Sequence, residues 1–302
     1  MTDMRVSVAG VTMKNPLVAV SGCIGFGREY DEYFDLSLLG GISVKGLTLK
    51  PREGNPPPRV AETPGGCLNS VGLQNPGVEA FLRDELPFLR AKDVAVIVNI
   101  SGASPEEYGE MARLIGHTAD LLEVNISCPN LNAHGVNFAN DPRSAADVTK
   151  AVKKDAKIPV SVKLSPNVTD IVSIARACKD AGADALSLIN TLVGMRIDPE
   201  TRRPVLRMNT GGLSGPAVFP VAVRCVWQAA AATGLPVMGM GGVSSGLDAV
   251  ELMVAGASAV GVGTALFGDP CAPDRILGEL YAWCEEREVD RISELTGSVL
   301  AY

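Results

Sequence analysis

Residues 159–190 read PVSVKLSPNVTDIVSIARACKDAGADALSLIN, and this stretch decides the fold. It opens on a short apolar, β-branched run, Pro159–Leu164, and closes on another, Ala185–Asn190. Between them Asp170–Gly182 carries helical periodicity: an early Asp, apolar Ile171, Ile174 and Ala175, then Ala181-Gly182 as a stop. The same order of strand, turn and helix recurs along the chain. Further strand-like runs lie at Leu17–Val20, Ile42–Lys45, Val94–Asn99, Leu121–Ile126, Pro236–Met240 and Ala259–Val262. Helices are expected near 76–91, 105–117, 142–156, 169–181, 216–233, 245–256 and 273–287, with a shorter one near 31–39. Eight β/α units without a composition break favour an α/β fold of one domain, residues 1–302, closed as a (β/α)8 TIM barrel. A doubly wound sheet with two domains fits less well. Arg5–Asn15 alternates Val6, Val8, Val11 and Met13 around Ala9-Gly10, and is expected to be an N-terminal β-hairpin closing the barrel's lower end. Long loops at 46–75, 128–141 and 191–215 exceed the usual connection length, which places them over the C-terminal face.

Composition narrows the function classes. The 302 residues are 46% hydrophobic and 20% charged, enough apolar material for a large core. A net charge of −7 argues against nucleic acid or an anionic membrane as partner, though a local cluster of Lys can still bind an anionic cofactor. The seven cysteines are scattered and form no C-x-x-C pair, and there are only two histidines. No metal site built by this chain and no disulfide framework is expected, which points to a reducing compartment. Met1–Ala9 is polar and charged rather than a signal peptide, so a cytoplasmic location is expected.

The informative pattern is what ends each strand. In chain order the ends carry Ser21, Lys45-Gly46, Asn99, Asn125, Lys163, Asn190-Thr191, Gly241-Gly242 and Gly263-Thr264. In a barrel all eight ends converge on the catalytic face. A single Lys or Asn there can be a solvated cap; the set together reads as a site. The glycines after the seventh and eighth strands let backbone N–H groups approach a phosphate, although glycine also relieves crowding at a barrel rim. A phosphate cradle beneath an Asn- and Lys-lined mouth suits FMN. Asn99 and Asn125 would hydrogen-bond its ring, and Lys163 would offset the negative charge that develops on reduction. A Schiff-base aldolase using Lys163 as nucleophile is the rival reading.

Asn125-Ile-Ser-Cys-Pro-Asn130 closely resembles the signature of class 1 dihydroorotate dehydrogenases. Asn69-Ser-Val-Gly-Leu-Gln-Asn-Pro-Gly77 resembles their substrate-carboxylate loop, and Ser161-Val-Lys-Leu-Ser-Pro-Asn167 their flavin-lysine strand. Ile189-Asn-Thr-Leu192 and Thr210–Pro216 follow in the right order, so the resemblance runs from about Val11 to Pro270. Ser21–Gly27 and Gln74–Gly77 look like the class 1B catalytic subunit. The resemblance implies that Cys128 is the catalytic base. It implies FMN contacts from Ser21, Lys45, Gly46, Asn99, Asn125, Lys163, Ile189, Gly215, Gly241, Gly242, Gly263 and Thr264. Contacts to dihydroorotate or orotate are implied for Lys45, Asn69, Ser70, Val71, Gly72, Leu73, Asn125, Asn190 and Thr191. It further implies a partner electron-transfer subunit, carrying FAD and a [2Fe–2S] cluster and reducing NAD+, around a homodimer core of a heterotetramer.

One stretch departs from the family pattern. Asn132–Pro142 has one glycine where the family shows a pair, and Ala139 where glycine is expected; His134 sits within it and is expected to be a solvent-exposed loop residue, with a catalytic role as the alternative. The expected chemistry removes a proton with a base on one face of the substrate ring and a hydride on the other. A thiol suits the base because its pKa lies near neutrality beside cationic groups. A dihydropyrimidine dehydrogenase-type chain, acting on dihydrouracil or dihydrothymine, is the alternative in the same class. Those substrates lack the carboxylate that Lys45 and the 69–73 loop would receive.

Overall fold

The computed structural model describes residues 2–127, 138–300 and 302. Eight parallel strands close into a barrel in simple sequence order: Leu17–Ala19, Gly41–Ser43, Ala95–Ile100, Leu121–Asn125, Val160–Lys163, Ala185–Leu188, Val237–Met240 and Ala259–Val262. Each pairs with its neighbours in the chain, and the eighth returns to the first through Gly261 opposite Val18. The strand residues are almost all buried, because helices cover the outer face while side chains fill the interior.

The helices follow the expected periodicity. Pro105–Ile115, Pro142–Asp155, Ile171–Asp180, Phe219–Thr233, Gly246–Ala255 and Ala272–Glu286 each turn an apolar stripe onto the barrel. Their starts are chemically marked. Ser104, Asp141, Asp170 and Ser245 each accept hydrogen bonds from backbone N–H groups of the first turn, donors that the helix itself leaves without partners. The hairpin pairs Val6–Val8 with Val11–Met13 and runs directly into the first strand, burying Val6, Val8 and Met13 at the barrel's N-terminal end.

One expectation needs correction. The helix expected at 31–39 is two separate 3-10 turns, Tyr30–Glu32 and Leu36–Leu38. Asp35 divides them: its backbone is extended and its carboxylate accepts from the Ser37 N–H at 2.9 Å, a local bond that competes with helix continuation. The loops at 46–75 and 191–215 do lie over the C-terminal face, as expected, and they contain strands of their own. They supply Val60–Thr63, Gly66–Asn69, Leu192–Gly194 and Gly211–Ser214, which join in a four-stranded antiparallel sheet over the C-terminal mouth. Its central pairing sets Asn69 opposite Gly212 and Leu68 opposite Leu213. No window of local sequence contains both halves of such a pair.

Candidate functional site

The site starts from strand alternation. On the fourth strand Glu123 and Asn125 share one face, on the fifth Ser161 and Lys163 do, and the parallel register sets Asn125 opposite Lys163. Asn99, on the third strand, lies opposite Glu123. These side chains point into the barrel rather than toward the helices, and they form a polar floor below the mouth. Glu123 is fully buried and Lys163 nearly so, at 0% and 6% side-chain exposure, with the ammonium 3.6 Å from Glu123 Oε2. Oε2 also accepts from Ser43 Oγ at 2.8 Å and from the Asn99 amide. Burial pushes the Glu123 carboxyl up, but the Lys163 charge and the donors from Asn99, Ser187 and Ser43 outweigh it, so the group lies below its ordinary value. Neither the Ser187 hydroxyl nor Glu123 Oε1 makes a well-formed hydrogen bond, so Ser187 acts by proximity.

Above this floor is a cavity of about 590 Å³, a size that accommodates an organic cofactor with a small substrate. Lys45, Asn125 and Lys163 reach it from strand ends, as do Ser21, Gly46, Ile189, Asn190, Thr191, Gly241, Gly242, Gly263 and Thr264. The roof brings Asn69, Val71, Gly72 and Leu73 to the same space. Three expected residues stand just behind the lining: Asn99 and Ser70 are buried beneath it, and Gly215 adjoins lining residue Ser214. Cys128 and His134 lie outside the described residues.

The roof loop is shaped by Asn75. Its side chain accepts from the N–H groups of Thr48 at 3.1 Å and Gly77 at 2.9 Å. It also donates to the Leu73 carbonyl at 2.7 Å and to Thr48 Oγ1 at 2.9 Å. This knot holds Gly72 and Leu73 at φ of +76° and +57°. A Cβ on Gly72 would sit 2.6 Å from Asn55, so only glycine lets the loop pass there. Gly241 and Gly242 are similarly constrained, at φ of +128° and +87°, and a Cβ on Gly242 would stand 2.8 Å from the Gly215 carbonyl oxygen. Close by, Thr264 Oγ1 donates to Ser214 Oγ at 2.8 Å. Exposed backbone and paired hydroxyls around glycines form a cradle suited to phosphate oxygens.

Sequence reading missed three members of the site. Glu123 was detectable as a carboxylate in the apolar run Leu121-Leu122-Glu123-Val124, two residues before Asn125 and so on its face. Tyr108, from the helix after the third strand, donates to the Asn125 carbonyl at 2.8 Å and pins that strand end; nothing local marked it. Cys23 lines the cavity wall. It is partly open to the cavity, yet dense packing pushes its thiol up to about 12 against the pull of Lys163 and Lys45. It is therefore a protonated thiol at neutral pH and a poor base.

Among the described residues no cluster of three His, Cys, Asp or Glu side chains could hold a metal ion. No helix there is long and apolar enough to cross a membrane. A family model described as dihydroorotate dehydrogenase matches residues 3–283. The dihydroorotate dehydrogenase B (NAD(+)), catalytic subunit of Citrifermentans bemidjiense is 52% identical over 299 residues, covering 98% of this chain and 98% of that protein. The protein of the same name from Anoxybacillus flavithermus is 51% identical over 299 residues, covering 98% and 96%. A crystal structure of DHODH in complex with ferulenol from Eimeria tenella superposes with a TM-score of 0.83 at 22% identity, covering 98% of this chain and 88% of that one, and supports the barrel fold. By the span of the family match and by its identity to B-type catalytic subunits across nearly its whole length, the chain belongs to the dihydroorotate dehydrogenase family.

Proposed function

We propose that this chain oxidises dihydroorotate to orotate in pyrimidine biosynthesis, with FMN bound across the mouth and Cys128 as base. The observation that carries the reading is the convergence of Lys45, Lys163 and the amides of Asn69, Asn125 and Asn190 on one cavity beside the glycine cradle. That donor set fits FMN: Gly241, Gly242, Gly263 and Thr264 suit its phosphate, while Lys163 and Asn99 suit the ring. When bound, FMN supplies a two-electron acceptor for the hydride that leaves substrate C6.

The remaining steps fall to the protein. Lys45 and the N–H groups of the 69–73 loop receive the substrate carboxylate, a charge that dihydrouracil and dihydrothymine lack. Asn69, Asn125 and Asn190 each offer a donor and an acceptor to the alternating amides of the ring. Cys128 takes the C5 proton, so that loss of one proton and one hydride leaves the C5–C6 double bond of orotate. A Schiff-base role for Lys163 is disfavoured by its ion pair with Glu123, since the nucleophile in that chemistry is a neutral amine.

The relatives' name, catalytic subunit of an NAD(+)-linked enzyme, supports a partner chain that accepts the electrons. We infer that this partner carries FAD and a [2Fe–2S] cluster, around a homodimer of the present chain, in the cytoplasm. The test is a visible spectrum of the purified protein followed by anaerobic titration with dihydroorotate. A flavin spectrum bleached by dihydroorotate, and not by dihydrouracil, is expected. Cys128→Ala should keep the flavin and slow its reduction by about 10²–10⁴-fold; unchanged reduction kinetics would reject the base.

A further inference from the structure

Among the described residues, Glu123 and Lys163 are the two charged side chains that are buried. Lys163 has a role in the reading above, and Glu123 has none. An ionised carboxylate has no proton to give, so Asn99 must turn its Nδ2 toward Glu123. The Asn99 Oδ1 is then aimed the other way, where it accepts from Asn125 Nδ2 at 3.4 Å. With that nitrogen engaged, Asn125 Oδ1 accepts from the Ser127 N–H at 3.2 Å, from Ser127 Oγ at 3.1 Å and from Asn190 Nδ2 at 3.4 Å. Asn190 Nδ2 also donates to Ser127 Oγ at 2.9 Å, and its Oδ1 accepts from the Thr191 N–H at 2.8 Å. One proton-free group thus fixes the polarity of three amides in succession, from the third strand through the fourth to the end of the sixth. A neutral side chain at 123 could present either an oxygen or an N–H, and would leave that order undecided.

We propose that Glu123 is a positioning residue whose buried carboxylate orients the Asn99–Asn125–Asn190 amide chain and holds Lys163 at the cavity, so that it sets the charge balance that a bound flavin would feel. Its negative charge partly cancels Lys163. Glu123→Gln keeps the shape, removes the charge, and leaves the ammonium uncompensated at a cavity whose flavin would become negative on reduction or on binding sulfite.

The inference rests on the FMN reading, and the two fail separately. If the parent protein shows no flavin band, the FMN reading falls before residue 123 is altered. In a flavin-loaded parent, sulfite titration and reduction potential test Glu123 without turnover. Glu123→Gln should bind sulfite about tenfold more tightly and raise the two-electron potential by about 30 mV, the equivalent of that factor. Glu123→Asp, with the charge kept but drawn back from Lys163, should move both readouts in the same direction by a smaller amount. A merely structural role would weaken FMN binding in both variants with no directed shift in either readout. Unmoved or lowered sulfite affinity in Glu123→Gln overturns the proposal, as do equal shifts in the two variants. If Glu123→Gln does not fold with FMN, Glu123→Asp decides alone, and an unmoved sulfite affinity there overturns it.

Discussion

On the floor of the cavity, Glu123, Asn125, Asn99 and Lys163 stand on adjacent strands, fixed by barrel register and buried. Over the mouth, the 66–73 segment is held by pairing with residues 211–214 and by the buried Asn75 knot. The floor depends on a charge pair in a low-dielectric interior, the roof on neutral hydrogen bonds and glycine geometry. The difference assigns separable duties. Apart from Asn125, which serves both, floor residues should govern the cofactor and roof residues the substrate, so a change in one region should leave the other's readout standing.

The largest break in this division is expected from Lys163→Ala. It strands the Glu123 carboxylate in the barrel interior, and removing one partner of a buried pair costs about 3–5 kcal/mol. Urea unfolding should show that loss, and the purified variant should be depleted of flavin. The sharper form of the test adds Glu123→Leu to Lys163→Met. If desolvation of a lone charge is the cost, the double variant recovers much of the stability while FMN binding stays impaired. A double variant no more stable than Lys163→Ala would show that the floor is held by packing instead.

The floor was largely legible in the sequence and the roof was not, for a physical reason. Lys163 and Asn125 announce themselves because a polar residue ending an apolar strand has few structural excuses, and because barrel topology brings all such ends together. Glu123 obeys the same alternation but sits one step deeper, inside the run, where it was read as part of the strand. The roof sheet joins Asn69 to Gly212 across most of the barrel, and neither segment has a strand's apolar alternation: Gly66-Cys-Leu-Asn69 and Gly211-Gly-Leu-Ser214 look like turns. Their pairing is decided by where the barrel delivers their ends. Tyr108 was hidden similarly, since its bond to Asn125 exists only once the helix after the third strand folds back over the fourth.

On the roof, Asn75→Ala should cost about 2–3 kcal/mol. It leaves three buried groups, the Thr48 and Gly77 N–H groups and the Leu73 carbonyl, without their partner, at about 1 kcal/mol each. The functional signature should be the reverse of the floor's. KM for dihydroorotate should rise about tenfold or more as the 69–73 loop loses its shape, with the flavin spectrum and reduction potential unchanged. Equal loss of flavin and substrate affinity would mean that floor and roof are one unit.

The smallest effect is expected at the joint between the two regions. Tyr108 packs edge-on against Phe138, with ring centroids 6.1 Å apart, and spends its hydroxyl on the Asn125 carbonyl. Tyr108→Phe keeps the ring and removes one neutral hydrogen bond, worth about 1 kcal/mol. Asn125 is the residue at which the amide chain passes from the cofactor side to the substrate side, so a slackened strand end there should touch both readouts slightly. FMN affinity and KM should each change by less than about fivefold, in the direction of weaker binding. A change confined to KM would assign Asn125 to the roof, a change confined to FMN would assign it to the floor, and either result would redraw the boundary at a single residue.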